Sequence, residues 1–160
     1  MPQGHSAQCV WHNEDETQAF AQALARQPAI RDCYIELQGD LGTGKTTLVR
    51  HLLRALGVSG RIKSPTYAVV EPHEAGDLAI WHFDFYRFND PQEWEDAGFR
   101  DIFASPGLKL AEWPNQAAGR LPTPDLRIAI TLKPDDTRQV LFSAHSAKGL
   151  ALVQGLPHAF

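Results

Sequence analysis

The chain has 160 residues, a formal net charge of −4 and a mean hydropathy of −0.30. That length suits one domain over residues 1–160, burying about 70% of its unfolded surface without staples. No apolar run approaches the ~20 residues of a membrane span and Met1 to Ala7 carries no signal-peptide stretch behind it, so a cytoplasmic location is expected, and the acidic balance argues against a broad nucleic-acid surface.

Taken in order, Asn13 is placed to cap a helix from Glu14 to Gln27, with Glu16 set to return the capping contact and Pro28 beyond the end. Phe20 and Leu24 then face the core. Cys33-Tyr34-Ile35-Glu36-Leu37-Gln38 reads as a short strand, and Thr47 to Leu56 carries Leu48, Leu52, Leu53 and Leu56 at helical spacing up to Gly57. Gly57 to Lys63 is a loop, Ser64-Pro65-Thr66 leads into a strand from Tyr67 to Glu71, and Pro72 to Asp77 is a turn. Leu78 to Phe85 alternates cleanly, with Leu78, Ile80, His82 and Asp84 on one face. Asp90-Pro91 opens a helical stretch, Gln92 to Phe103, closed by Pro106-Gly107; Leu108 to Trp113 is a further strand containing Glu112. Leu126 to Lys133 and Arg138 to His145 alternate on either side of Pro134-Asp135-Asp136, an antiparallel hairpin signal, and Ser146 to Val153 suits a short helix. Because the stretch from Gly39 to Thr46, between a strand and a helix, has a glycine-rich phosphate-loop pattern, the expected fold is α/β, a P-loop NTPase-like mixed sheet flanked by helices, parallel near that loop and antiparallel toward the C-terminus.

The run Gly39-Asp40-Leu41-Gly42-Thr43-Gly44-Lys45-Thr46 fits Gly-x4-Gly-Lys-[Ser/Thr] and falls between a strand and a helix. Gly39, Gly42 and Gly44 let the backbone expose successive amide N–H groups at the positive end of the next helix, an anion nest. Lys45 would reach the β and γ phosphates, and the Thr46 hydroxyl would ligate magnesium bridging them. A bland turn demands no such Lys-Thr pair.

A triphosphatase needs a second acid near the metal. Asp84 and Glu112 both end apolar strands, where ligands bind in open α/β sheets, and either could be that anchor. His82 shares a face with Asp84, although a lone histidine is more often semi-buried and structural. Thr66 lies in a loop of the kind that folds over a γ phosphate; an ordinary strand start is an equal account. Trp81, Phe83, Phe85, Tyr86 and Phe88 read mostly as core. Arg50, His51, Arg54, Arg61 and Lys63 read as a solvated basic face. Cys9 and Cys33 stand far apart, and the seven histidines form no zinc-ligand spacing, so reduced thiols and no structural metal are expected.

Together, Gly39 to Thr47 (GDLGTGKTT), Ser64 to Tyr67 (SPTY), His82 to Arg87 (HFDFYR) and Glu112-Trp113-Pro114 (EWP) resemble, in order and spacing, the bacterial TsaE family, formerly called YjeE. The resemblance covers nearly the whole chain, including Thr17 in the first helix and Arg138 in the hairpin. Thr43 departs from it, standing where the family commonly has a small residue such as alanine. The resemblance implies an ATPase that binds the TsaB and TsaD proteins and supports their formation of N6-threonylcarbamoyladenosine beside the tRNA anticodon, with tRNA met mainly through those partners. By motif position it implies that Leu41, Gly42, Thr43, Gly44, Lys45, Thr46 and Thr47 hold the phosphates of ATP. It further implies that Thr46 and Glu112 hold Mg2+ and that Asp84 handles the catalytic water or an outer contact of the metal. Thr66 and His82 would line the site, and Trp113 would pack beside it or at the partner surface.

Two other classes use the same loop. A small-molecule kinase usually needs an Arg-rich lid, and arginines are sparse between Trp113 and Arg138. A GTP switch would carry Asn-Lys-x-Asp, which the sequence lacks.

Overall fold

Cys33, Ile35 and Leu37 alternate with Tyr34 and Glu36, and both sets are buried, as befits a strand at the centre of a sheet covered on its two faces. The computed structural model describes residues 6–65 and 69–157. Its strands are β1 (Ser6–Trp11), β2 (Cys33–Gln38), β3 (Val70–Ala75), β4 (Leu78–Asp84), β5 (Leu108–Glu112), β6 (Leu126–Leu132) and β7 (Arg138–Ala144). They form one seven-stranded sheet in the order β1-β7-β6-β2-β5-β4-β3. The central strands β6, β2, β5 and β4 run parallel, while β1-β7, β7-β6 and β4-β3 are antiparallel. The mixed P-loop-type sheet expected from the sequence is therefore present, and the hairpin β6-β7 lies where Pro134-Asp135-Asp136 placed it.

On one face α1 (Glu14–Ala25), α2 (Lys45–Leu56) and α5 (Ala147–Gln154) bury Phe20, Leu24, Leu52, Leu53 and Leu152 in a cluster with Ile35, Ile128 and Phe142. On the other, α3 (Pro91–Asp96) and α4 (Phe99–Ala104) bring Trp94 and Phe99 against Phe83 and Phe85. Each such side chain withdrawn from water contributes roughly 1.5–3 kcal/mol, so the two clusters clamp the sheet from both sides. Among the described residues no helix is long and apolar enough to cross a membrane. Burial pushes the thiol of Cys33 up to about 12 and that of Cys9 up to about 11, which leaves almost no thiolate near neutrality.

Several local expectations are corrected. The strand β1 was not anticipated: Ala7 and Trp11 point into the core while Ser6, Gln8 and Val10 stay exposed. The first helix ends at Ala25, not Gln27, because residues Pro28–Asp32 wind into a 3-10 turn. Asn13 does cap it, accepting from the Glu16 N–H at 3.1 Å. The Glu16 carboxylate, however, accepts from the backbone N–H of His12 at 2.7 Å rather than from the cap residue. The second helix starts earlier than Thr47, at Lys45, because Gly44 itself takes the cap position.

The expected turn from Pro72 to Asp77 is strand up to Ala75, with only Gly76 and Asp77 turning. Proline is tolerated there because β3 is an edge strand, with one row of backbone groups outside any ladder. The strand start at Tyr67 falls outside the described residues. The single helix expected over Gln92 to Phe103 is two short ones, broken where Gly98 adopts φ +70°. The strand expected to reach Trp113 stops at Glu112 because Trp113 turns left-handed, with φ 56°.

Candidate functional site

The phosphate-binding motif occupies the turn between β2 and α2, at the C-terminal end of the parallel strands. Gly39 has φ +149°, and a Cβ there would lie 2.6 Å from the Ile130 carbonyl oxygen, so no other residue allows the loop to approach β6 so closely. Gly44 is the N-cap of α2 with φ 109°, and no side chain caps that helix. By contrast, Asn13, Asp90 and Ser146 cap α1, α3 and α5 with their side chains. The first turn of α2 also has no acidic residue. Its N–H groups and the positive end of its dipole therefore face the adjoining cavity with no capping side chain and no acid from their own turn.

That cavity measures about 270 Å³ and is lined by the loop from Leu41 to Thr47 together with Asp84, Tyr86, Glu112, Trp113 and Arg138. Leu41 stands at its rim, 67% exposed. Thr43 is buried and its hydroxyl donates to the Asp40 carbonyl at 3.0 Å. The departure from a small residue at this position is thus absorbed inside the turn.

Lys45 is buried, with its ammonium donating to the carbonyls of Gly39 and Asp40. The same ammonium lies 4.1 Å from the centroid of the Trp113 ring, a cation–π contact. Burial holds the Lys45 ammonium below the usual lysine range, and the carboxylates of Glu112, Asp84 and Asp40 oppose that shift. Trp113 is presented by its left-handed backbone and packs on Tyr86 at 4.8 Å between ring centroids. Tyr86, expected in the core, is instead exposed at the mouth of the cavity.

The two candidate acids are neighbours, since Asp84 on β4 and Glu112 on β5 face each other in register. Their surroundings differ. Glu112 is 3% exposed, and its carboxylate accepts from the Thr46 hydroxyl at 3.0 Å and 3.2 Å. His82, 1% exposed, has its Nε2 2.6 Å from Oε2 of that carboxylate. His82 Nδ1 is buried with no hydrogen-bond partner among the described residues. Asp84 is half-buried and accepts from the Tyr86 N–H at 2.9 Å. Burial and the charge of Glu112 push its carboxyl up, against the Tyr86 N–H, His82 and Lys45.

The structure therefore brings together Leu41 to Thr47, Asp84, His82, Glu112 and Trp113, while Thr66 lies outside the described residues. Arg50, Arg54, Arg61 and Lys63 are exposed and line no part of the cavity; His51 pairs with Glu14 at 2.8 Å. Arg138, which the resemblance already included in the hairpin, contributes to the site, donating from Nε to the Thr43 carbonyl at 2.6 Å.

Comparison with known proteins agrees with this geometry. Residues 11–140 match the family model described as threonylcarbamoyl adenosine biosynthesis protein TsaE. The protein of Haemophilus influenzae named tRNA threonylcarbamoyladenosine biosynthesis protein TsaE is 38% identical over 84% of this chain and 84% of its own. The protein of the same name from Bacillus subtilis is 36% identical over 82% of each chain. The crystal structure of Bacillus subtilis YdiB superposes with a TM-score of 0.74 at 28% identity, covering 93% of this chain and 92% of that one. On the match to the family model and the extent of these relatives, the chain belongs to the TsaE family.

Proposed function

We propose that this chain, acting as a single cytoplasmic domain, is a magnesium-dependent ATPase of tRNA threonylcarbamoyladenosine biosynthesis that works with the TsaB and TsaD proteins. Its relatives' names supply the pathway. The observation that carries the ATPase reading is the uncapped, acid-free N-terminus of α2 joined to a buried ammonium and a buried carboxylate in one cavity. A polyphosphate complements the first two and a divalent cation the third.

The residues fit both groups. Lys45 rests on two main-chain carbonyls and an aromatic face, weak partners that phosphate oxygens would replace with charged ones. Thr46 and Glu112 offer a hydroxyl and a carboxylate at hydrogen-bond distance. Among the described residues no group of three or more His, Cys, Asp or Glu side chains gathers to hold a metal unaided. That suits magnesium, which takes one or two protein ligands and completes its shell with phosphate oxygens and water. When bound, it would neutralise charge developing on the transferring phosphoryl group.

In this reading His82 fixes the Glu112 carboxylate, leaving Thr46 and Glu112 to anchor the metal. Asp84, whose carboxyl is pushed up beside them, orients the attacking water. Lys45 stabilises the β and γ oxygens, Trp113 and Tyr86 shield the mouth, and Thr66 is assigned to the γ-phosphate side on its motif position. Leu41, with its exposed side chain at the rim, and Trp113 are placed to meet a partner protein; tRNA is reached mainly through the partners.

The test is ATP turnover by the purified protein alone, with TsaB, with TsaD, and with both. Slow hydrolysis that rises at least about tenfold with the pair is expected. Stoichiometric phosphorylation of a small-molecule acceptor, or fast turnover indifferent to the partners, would overturn the reading in favour of a kinase or an autonomous hydrolase.

A further inference from the structure

Two histidine ring nitrogens are buried with no hydrogen-bond partner among the described residues: Nδ1 of His82 and Nε2 of His73. Both rings lie on one face of the sheet. In the antiparallel ladder of β3 and β4, His73 stands opposite Ile80 and Glu71 opposite His82, which makes the two histidines diagonal neighbours on adjacent strands. Ile80 and Ala75, on the same face, belong to the cluster beneath α1, α2 and α5. His73 is half-buried on the edge strand. Burial, helped by His82 and opposed by Glu71, holds its imidazole below the usual histidine range, so near neutrality it is uncharged and carries one ring N–H.

The contact with Glu112 gives these two nitrogens complementary needs. A carboxylate only accepts, so the 2.6 Å approach of His82 Nε2 to Glu112 Oε2 places a proton on Nε2. The neutral ring then offers only a lone pair at Nδ1, an acceptor sealed from solvent, and buried acceptors of this kind are satisfied in folded proteins. Diagonal neighbours stand about 7–8 Å apart; less the reach of one imidazole, that spacing leaves the width of a single water. A water there accepts from His73 Nε2–H and donates to His82 Nδ1, which satisfies both nitrogens at once.

We propose that His73 is a positioning residue for the magnesium site: through one bridging water it holds His82 in its Nε2–H form, and His82 in turn fixes Glu112 beside Thr46. This rests on the reading of Glu112 as a magnesium ligand given above. The link runs from the sheet's edge to the metal-binding carboxylate. Outer supports of this kind change metal affinity by roughly 10–100-fold when removed.

Ring-nitrogen NMR spectra of the metal-free wild type, His73→Phe and His73→Gln read the link with no nucleotide or cation present. Phenylalanine keeps a ring and removes the donor, whereas glutamine returns an N–H near the position of Nε2. The wild type is expected to show His82 protonated at Nε2 alone, with its Nδ1 signal displaced as in a hydrogen-bond acceptor. His73→Phe should lose that displacement and His73→Gln should keep it. Titration with ATP at varied Mg2+ reads the consequence. His73→Phe is expected to need about tenfold more Mg2+ and His73→Gln to stay within about threefold of wild type, while ATP affinity without Mg2+ holds within about twofold in all three. A wild-type His82 protonated at Nδ1 overturns the assignment, as do ring signals or a Mg2+ requirement unchanged by His73→Phe. An equal loss in both variants with a lowered melting temperature marks a structural strut and also overturns it. ATP binding by the wild type that ignores Mg2+ defeats the magnesium reading and the positioning role with it, and the ring spectra distinguish that failure from absence of the His73 link.

Discussion

Replacing Lys45 with alanine is expected to reduce ATP turnover by at least about 10³-fold while the protein stays folded. The ammonium is the only side-chain cation of the glycine loop, and it already sits among the carboxylates of Asp84, Glu112 and Asp40 that act on it. Its removal takes away charge that the β and γ phosphates need at the moment of transfer. Stability should be little changed, because Lys45 is buried at a desolvation cost that lowers its pKa, and alanine has high helix propensity at the start of α2. Circular dichroism and a turnover assay check both halves. A folded variant hydrolysing ATP at the wild-type rate would remove the loop from the mechanism.

The second large effect separates the two acids. Glu112→Ala should weaken Mg2+-dependent ATP binding by roughly 10²-fold, whereas Asp84→Ala should change it by less than about tenfold and lower turnover instead. The difference follows from their surroundings: the buried Glu112 carboxylate holds both the Thr46 hydroxyl and the His82 ring, whereas the half-buried Asp84 accepts from the Tyr86 N–H. Glu112→Ala should also cost stability, about 1–3 kcal/mol, because His82 would lose its partner on Nε2 when its Nδ1 already has none among the described residues. Glu112→Gln, which can still pair with His82, should recover much of that stability but not the metal-dependent affinity. Titrations at fixed ATP and varied Mg2+ read the first effect and thermal melts the second. Equal or reversed affinities for the two alanine variants would reject this division of roles.

How much of this was legible in the sequence depended on whether the cause was local. The glycine loop, Lys45 and Thr46 are consecutive, so their chemistry can be read without knowing the fold, and β2, β5 and the β6-β7 hairpin follow from alternation alone. Edges were harder. β1 contributes only Ala7 and Trp11 fully to the core, so its periodicity is faint, and Pro72 signals a turn unless the strand is known to lie at the sheet's margin. Gly98 ended one helix and began another through a left-handed turn, a choice that hydrophobic spacing across the whole stretch concealed.

In the site, Asp84 and Glu112 were equivalent as strand-end acids. Strand alternation alone does not separate them; the family resemblance gave them different roles, and their burial and hydrogen bonds differ where β4 lies beside β5. Tyr86 and Arg138 reach the cavity from separate elements, so no sequence spacing tied either to the loop. The left-handed backbone of Trp113 is likewise invisible in composition, yet it is what turns the ring over Lys45.

Isothermal titration of the wild-type protein with ATP, with and without Mg2+, tests the central claim most directly. Micromolar or tighter binding that strengthens when the cation is present, and that Lys45→Ala loses, is the expected result. Absence of measurable ATP binding in excess Mg2+ by a demonstrably folded protein would contradict the account.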